Sequence, residues 1–402
     1  MNVSIVEVLL RKITTLGVVI CLLYACQPKS GGIPIVNVDN PSGNTELSLS
    51  DILEDIRIVP LETSSAVLIE NSPMTCVSDN YIVAANEQQI HLFDKNGKHL
   101  KVLMVQGRGP NEYFYLTSPL IDEKRNILYY RDGDKVHRIN LPDGTFLEPL
   151  MDPLENVKFG AMDKEGYFYY FPTSGESVFS TTDNETATLV YKFLPETGEI
   201  QTFSGSRSYI ADRAGLSMTH YMGEVNFFNS NYSDTLFSLS GKRLVSQGYF
   251  DIQNRLKKEL SDGDELTLIS SFKDGHIMYV NRITTTSIDT GNGSQGFSRR
   301  NQFMGFYVFD RKGSFTSLKK MHIDPLAFDI DATDRSQWVF SPIPQISGGW
   351  GYIGIDAIYM IDFIEKAIEK NTLPAAQIKK LEEARAKIDE NSNPVLIIGR
   401  VK

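Results

Sequence analysis

Arg108, Asn111, Glu112 and Tyr113 are the residues of this 402-residue chain whose types and spacing best suit a binding site. A guanidinium, an amide, a carboxylate and a phenol fall within six positions. Gly107, Gly109 and Pro110 tighten the backbone between them. A rigid connection of this kind can present a cation, a carboxylate and an aromatic ring to a ligand. The competing reading is structural: Arg108 and Glu112 pair with neighbouring elements, and Tyr113 packs into the core.

A second candidate is Asp329-Ile330-Asp331-Ala332-Thr333-Asp334, followed by Trp338. Its carboxylates, Asp331 and Asp334 among them, could bind a hard cation through oxygen. No glycine or distal glutamate stands where an EF-hand loop needs one, so a solvated, turn-forming loop is the expectation and no metal is assigned. Trp338 could stack on a sugar or pack in the core. Residues 291–296 spell G-x-G-x-x-G, but they open no helix, so no dinucleotide and no other cofactor is expected. The six histidines form no metal-binding pair, and no G-x-S-x-G or Walker motif occurs. No catalytic residue is therefore assigned. Acid pairs for glycoside cleavage stay open, because their separation is invisible in a sequence.

The elements that must position these residues are short strands joined by glycine turns. Residues 90–100, Ile-His-Leu-Phe-Asp-Lys-Asn-Gly-Lys-His-Leu, read as strand, turn, strand. Related hairpins recur with turn glycines at 97, 144, 198, 241 and 313, spaced by 47, 54, 43 and 72. The first three spacings approach the period of propeller blades, each a four-stranded sheet. The polar stretch 287–301 lengthens the last. A sixth unit starts near Gly349, where a helical insertion at about 361–390 replaces the hairpin turn. The expected fold is all-β: a six-bladed propeller of four-stranded blades over residues 51–402. Its ring is closed by strand 56–61, which Pro60 marks as an outer strand, pairing with the final strand 395–401.

Net charge is −10, and no Lys/Arg cluster suits phosphate, so no nucleic acid partner is expected. Of the three cysteines, Cys21 and Cys26 lie in the N-terminal segment and Cys76 stands alone, so no disulfide framework is possible. Arg11-Lys12 precede an apolar run, 13–25, that ends at Cys26, too short for a comfortable membrane span. Leu23-Tyr24-Ala25-Cys26 resembles a bacterial lipobox. Residues 1–25 are then a signal peptide, and 26–50 a lipidated N-terminus and linker that tethers the domain to a membrane through acylated Cys26.

Several stretches resemble the six-bladed propeller lipoproteins of Bacteroides-type bacteria, relatives of the NHL and TolB-like propellers. They are 59–63 (Val-Pro-Leu-Glu-Thr), the Phe93-Asp94 hairpin with Gly97-Lys98, and 107–113 (Gly-Arg-Gly-Pro-Asn-Glu-Tyr). Ser233-Asp234-Thr235-Leu236-Phe237 and Asn393-Pro394-Val395-Leu396 complete the set. The resemblance implies a fold and an outer-membrane location, periplasmic or surface-facing, but no general activity. The expected function is a non-enzymatic envelope lipoprotein that binds a glycan, a peptide or an envelope protein. The alternatives are a glycan hydrolase or lyase with acidic residues at the propeller axis, and a structural scaffold of an envelope complex.

Overall fold

A computed structural model describes residues 33–402, except 39, 70–73, 87, 110–111, 115–118, 133–134, 152–153, 155–156, 164–165, 173–185, 195, 207–215, 222–223, 230–234, 241, 251–262, 290–294 and 335–339. Cys26, Asn111, Trp338 and Gly241 lie outside the described residues. Six small sheets form a six-bladed propeller. Blade I holds Met74–Val77, Tyr81–Ala85, Gln89–Asp94 and His99–Gln106, from the axis outward. Blade II holds Leu120–Asp122, Ile127–Asp132, Lys135–Asn140 and Thr145–Met151. Blade III holds Val157–Met162, Phe168–Pro172, Thr186–Leu194 and Glu199–Ser206. Blade IV holds Leu216–Tyr221, Glu224–Asn229, Thr235–Ser240 and Arg243–Phe250. Blade V holds Gly263–Phe272, Gly275–Asp289, Gln295–Asp310 and Phe315–Ile323. Blade VI takes Gln345–Ser347, Trp350–Ile355 and Val395–Val401 from the end of the chain and Leu53–Pro60 from its beginning.

The two chain ends thus meet as expected. Leu396 lies opposite Val59 and Ile397 opposite Ile58 in an antiparallel ladder. Pro60 falls on the outermost strand, where its missing N–H breaks no ladder. Ahead of that strand, Ile35–Val36 adds in parallel to the edge of blade IV and Asn44–Ser48 to the edge of blade V. Helix α1, Leu49–Ile52, follows with Leu49 and Ile52 fully buried. Within 26–50, which the sequence reads as linker, these strands belong to the propeller.

Blades twist and stack, so their strands are buried on both faces and read as nearly continuous apolar runs. Gln89–Asp94 shows why. Ile90 and Leu92 pack with Leu128, Tyr130 and Ile139 of blade II. Phe93, one position out of phase, packs with Val59, Trp350 and Leu396 of blade VI. Burying such a side chain contributes roughly 2–3 kcal/mol. Further clusters fill the II–III, III–IV, IV–V and V–VI seams. The ring is held by blade-to-blade contact, not by one central core.

The glycine turns at 97, 144, 198 and 313 join the third and fourth strands of their blades. At Gly97 the Asp94 carboxylate accepts the N–H groups of Asn96 and Lys98, and Gly97 takes φ +85°. The loop is therefore a three-residue turn closed by a left-handed glycine, not a two-residue Asn-Gly turn. A Cβ there would stand 2.2 Å from the Pro60 carbonyl oxygen, so the blade VI–I seam also demands glycine. Asp310 caps Lys312 and Ser314 in the same way before Gly313, at φ +91°.

Two expected irregularities have definite shapes. The polar stretch 287–301 lies on a long hairpin, with Gly275–Asp289 paired to Gln295–Asp310 out to Asp289 opposite Gln295. The helical insertion is α2, Ala357–Lys370, and α3, Ala375–Arg385. α2 buries Ala357, Met360, Phe363, Ile364 and Ala367, and the rings of Phe328 and Phe340 pack tilted and edge-on against Phe363.

Candidate functional site

Strand order sorts the connections onto two ends of the ring. Turns between first and second strands, and between third and fourth strands, share one end and are short. Blade-to-blade connections and second-to-third-strand connections share the other. The helical insertion, the long hairpin and the 107–113 connection all sit at this loop-rich end.

The 107–113 connection is built on Glu112. Its carboxylate accepts the Gly109 N–H at 2.6 Å, and Glu112–Tyr113 pairs in parallel with Val105 and Gln106. A Cβ on Gly107 would sit 1.9 Å from the Glu112 Oε2, so glycine lets the carboxylate fold back over the loop. Tyr113 is 2% exposed and packs with Leu128 and Tyr130 of blade II. Its hydroxyl donates to the Asn86 carbonyl at 3.3 Å, and burial pushes the phenol pKa up. Arg108 is exposed, its guanidinium 5.2 Å over the Phe114 ring. It forms no ion pair among the described residues, and Phe114 is itself 52% exposed. Of the sequence candidates here, Arg108 faces solvent, Glu112 holds the loop, and Tyr113 fills the I–II seam. The sequence reading passed over Phe114, whose signal is an aromatic six positions after Arg108.

This connection is the end of a hydrogen-bonded belt, and its centre is Asn393, 2% exposed. The Asn393 Nδ2 donates to the carbonyls of Glu62 at 2.7 Å and Val67 at 2.9 Å. Its Oδ1 accepts the Ile69 N–H at 2.7 Å, and its own N–H donates to Thr63 Oγ1 at 2.7 Å. The next carbonyl, Leu68, accepts from Asn86 Nδ2 at 3.0 Å. Asn86 leads to Tyr113, and the Phe114 N–H donates to Asp132 at 2.8 Å. Glu62 reaches the Gly97 turn as well, where its N–H donates to the Gly97 carbonyl and its carboxylate accepts the His99 N–H. Most of the stretches that carry the family resemblance are thus stitched into one belt over blades VI, I and II. Four apolar side chains stand exposed along the connections of these blades: Leu68, Phe114, Ile358 and Tyr359.

Asp331 ends the strand Phe328–Asp331, added beside the outer strand of blade V with Lys320 in register. Its carboxylate accepts the N–H and the hydroxyl of Thr333, at 2.8 and 2.6 Å. These bonds, the side-chain one first, hold it below the usual carboxylate pKa. Asp334 follows in the same V–VI connection, two seams away from Arg108. Among the described residues no group of three acidic, His or Cys side chains could hold a metal ion.

The short-turn end carries staples. Trp350 Nε1 donates to Glu123 at 2.8 Å, linking blades VI and II, and the Asp79 N–H of blade I donates to the same carboxylate. Burial, then the charge of Asp79, raises the Glu123 pKa. Arg400 pairs with Asp79 and lies 4.9 Å over the Trp350 ring. Ser271 Oγ stands 2.8 Å from His276 Nδ1, the spacing of a nucleophile and its base. Both are buried, and burial pushes His276 down to about 3, so the pair is an interior hydrogen bond. A groove of about 790 Å³ lies on the outer wall of blade VI, between strand Leu53–Pro60 and α3. Here α3 covers a bare sheet edge, which Pro60 and the left-handed Asp55 also blunt.

No helix among the described residues is long and apolar enough to cross a membrane. A crystal structure of a "putative exported protein" from Bacteroides fragilis shares the fold, with TM-score 0.56 and 14% identity over 92% of this chain and 100% of that one. A DUF4221-family protein from Bacteroides vulgatus matches at TM-score 0.43 and 12% identity, over 87% of this chain and 97% of that one. No curated protein matches the sequence. The profile of one family spans residues 33–400, and the chain therefore belongs to that family, the domain of unknown function DUF4934.

Proposed function

We propose that this protein is an envelope lipoprotein, related to the NHL and TolB-like propellers, that binds a ligand at its loop-rich end. The observation that carries the reading is the belt over blades VI, I and II. Hydrogen bonds hold its loops in place, so a ligand meets a surface that needs little ordering. Exposed Leu68, Phe114, Ile358 and Tyr359 and the exposed Arg108 supply apolar, aromatic and cationic contacts on that surface. This chemistry suits a glycan or an extended peptide of an envelope protein.

Acylated Cys26 would tether the domain. Cys26→Ala is expected to move the protein out of membrane fractions, and unchanged retention would refute the anchor. Binding is tested by a glycan array together with affinity capture from native envelopes. Arg108→Ala and Phe114→Ala should each weaken the captured interaction about tenfold, some 1.4 kcal/mol, without lowering the unfolding midpoint. Intact binding in both variants would remove the site from this face.

A further inference from the structure

The chain enters the propeller at a fixed point. Ile35 and Val36 pair in parallel with Tyr249 and Phe250, at the end of the outer strand of blade IV. Val36 is 3% exposed and packs in the IV–V seam with Phe250, Phe309 and Phe315. A few residues on, the N–H and the hydroxyl of Ser42 donate to the Phe315 carbonyl and fasten the next stretch to blade V. Ile35 points the other way, as alternate residues of a strand do. At 77% exposure it is the most exposed large apolar side chain among the described residues, and Ile33, two positions earlier, is 49% exposed. Apolar surface this open gains by leaving water.

The covalent distance to the lipid tether decides what this surface meets. Ile35 follows Cys26 by nine positions. Fully extended, they reach at most about 32 Å, at ~3.6 Å per residue. A compact chain of this size is roughly 50 Å across. With the acyl chains of Cys26 in the bilayer, the blade IV rim therefore stays within about 32 Å of the headgroups. Blade I lies three places away round the ring, on the opposite rim. For blade I to touch the bilayer, the blade IV rim would stand roughly 50 Å off it, farther than the tether allows. Exposed Leu100, Val102 and Val105 on the outer strand of blade I are thus held away from lipid, while Ile35 is delivered to it.

Charge suits the same neighbour. Lys242 and Arg243, where the outer strand of blade IV begins, are exposed, and neither forms an ion pair among the described residues. Lys29 lies in the tether. We infer that the blade IV rim is the membrane-facing edge of the propeller, with Ile35 seated among the lipid headgroups. An open aliphatic side chain with basic residues on the same rim is the make-up of an interfacial contact, and anionic headgroups attract such cations. The inference rests on the tether through acylated Cys26. It turns blades VI, I and II, which carry the belt and the proposed ligand surface, to the side of the ring away from the bilayer.

The test places a nitrobenzoxadiazole fluorophore on single introduced cysteines of the acylated full chain. Quenching is read in phosphatidylethanolamine/phosphatidylglycerol vesicles that contain nitroxide-headgroup lipid. Cys76 stays unlabelled, since it is 1% exposed and burial pushes its thiol pKa up. The positions are Asn37→Cys beside the blade IV rim, Leu68→Cys at the loop-rich end and Leu100→Cys on blade I, all exposed. Quenching at 37 is expected at least threefold above that at 68 and 100. Ile35→Asp should cut it at least twofold while the protein still floats with the vesicles. Equal quenching at the three positions, strongest quenching at 68 or 100, or no effect of Ile35→Asp overturns the inference and leaves the anchor standing. A chain that does not float with the vesicles overturns the anchor and the inference together.

Discussion

Replacing Asn393 with alanine should destabilise the propeller by about 3 kcal/mol. The side chain is 2% exposed and makes three hydrogen bonds, two donated to the Glu62 and Val67 carbonyls and one accepted from the Ile69 N–H. Each contributes about 1 kcal/mol net, and the stranded N–H adds a desolvation cost of its own. The loss falls on the seam where both chain ends meet, so it opens the ring instead of fraying one loop. Asn393→Asp sharpens the test. It keeps the acceptor for Ile69 but turns a buried carboxylate toward two carbonyl oxygens, which raises its folded pKa above the unfolded value near 3.9. That defect is present at neutral pH and is relieved as pH falls through the raised pKa, because the protonated acid regains one donor. Urea unfolding of wild type, Asn393→Ala and Asn393→Asp at pH 7 and pH 5 measures all of this. A loss below about 0.5 kcal/mol for alanine, the size of an ordinary surface change, would refute the belt as a stabilising device.

Gly107→Ala should cost about 1–3 kcal/mol, since the new methyl group displaces the Glu112 carboxylate from the Gly109 N–H. Hydrogen exchange at Gly109 should rise with it. His322 faces Asp329 at 2.7 Å through Nδ1 and Glu46 at 3.2 Å through Nε2, with Lys320 beside Asp329 at 3.8 Å. The Asp329 bond above all raises its pKa. The stabilisation is full below the unfolded pKa near 6.5 and is lost as pH rises through the raised folded value. His322→Gln should abolish that pH dependence, with an amplitude under about 1 kcal/mol because both carboxylates are exposed. An NMR titration of His322 below the unfolded value would contradict the assignment.

The blade count, the closing pair of strands and the outer position of Pro60 are legible in the sequence, because they rest on local periodicity and turn chemistry. An Asp three positions before a Gly, as at Asp94 and Asp310, specifies its turn within a few residues. The candidate site is less legible. Glu112 and Tyr113 look equally able to face a ligand, yet one caps its own loop and the other lies against a neighbouring blade. Asn393 reads as one more polar residue before a proline, although it holds a segment more than 300 positions away. Long-range partners of this kind have no local signature. The sequence by itself determined the repeating unit and its turns. The tertiary structure alone decided which polar groups became staples and which, like Arg108, stayed open to solvent. Burial and partner distance set that role, and both arise only when the ring closes.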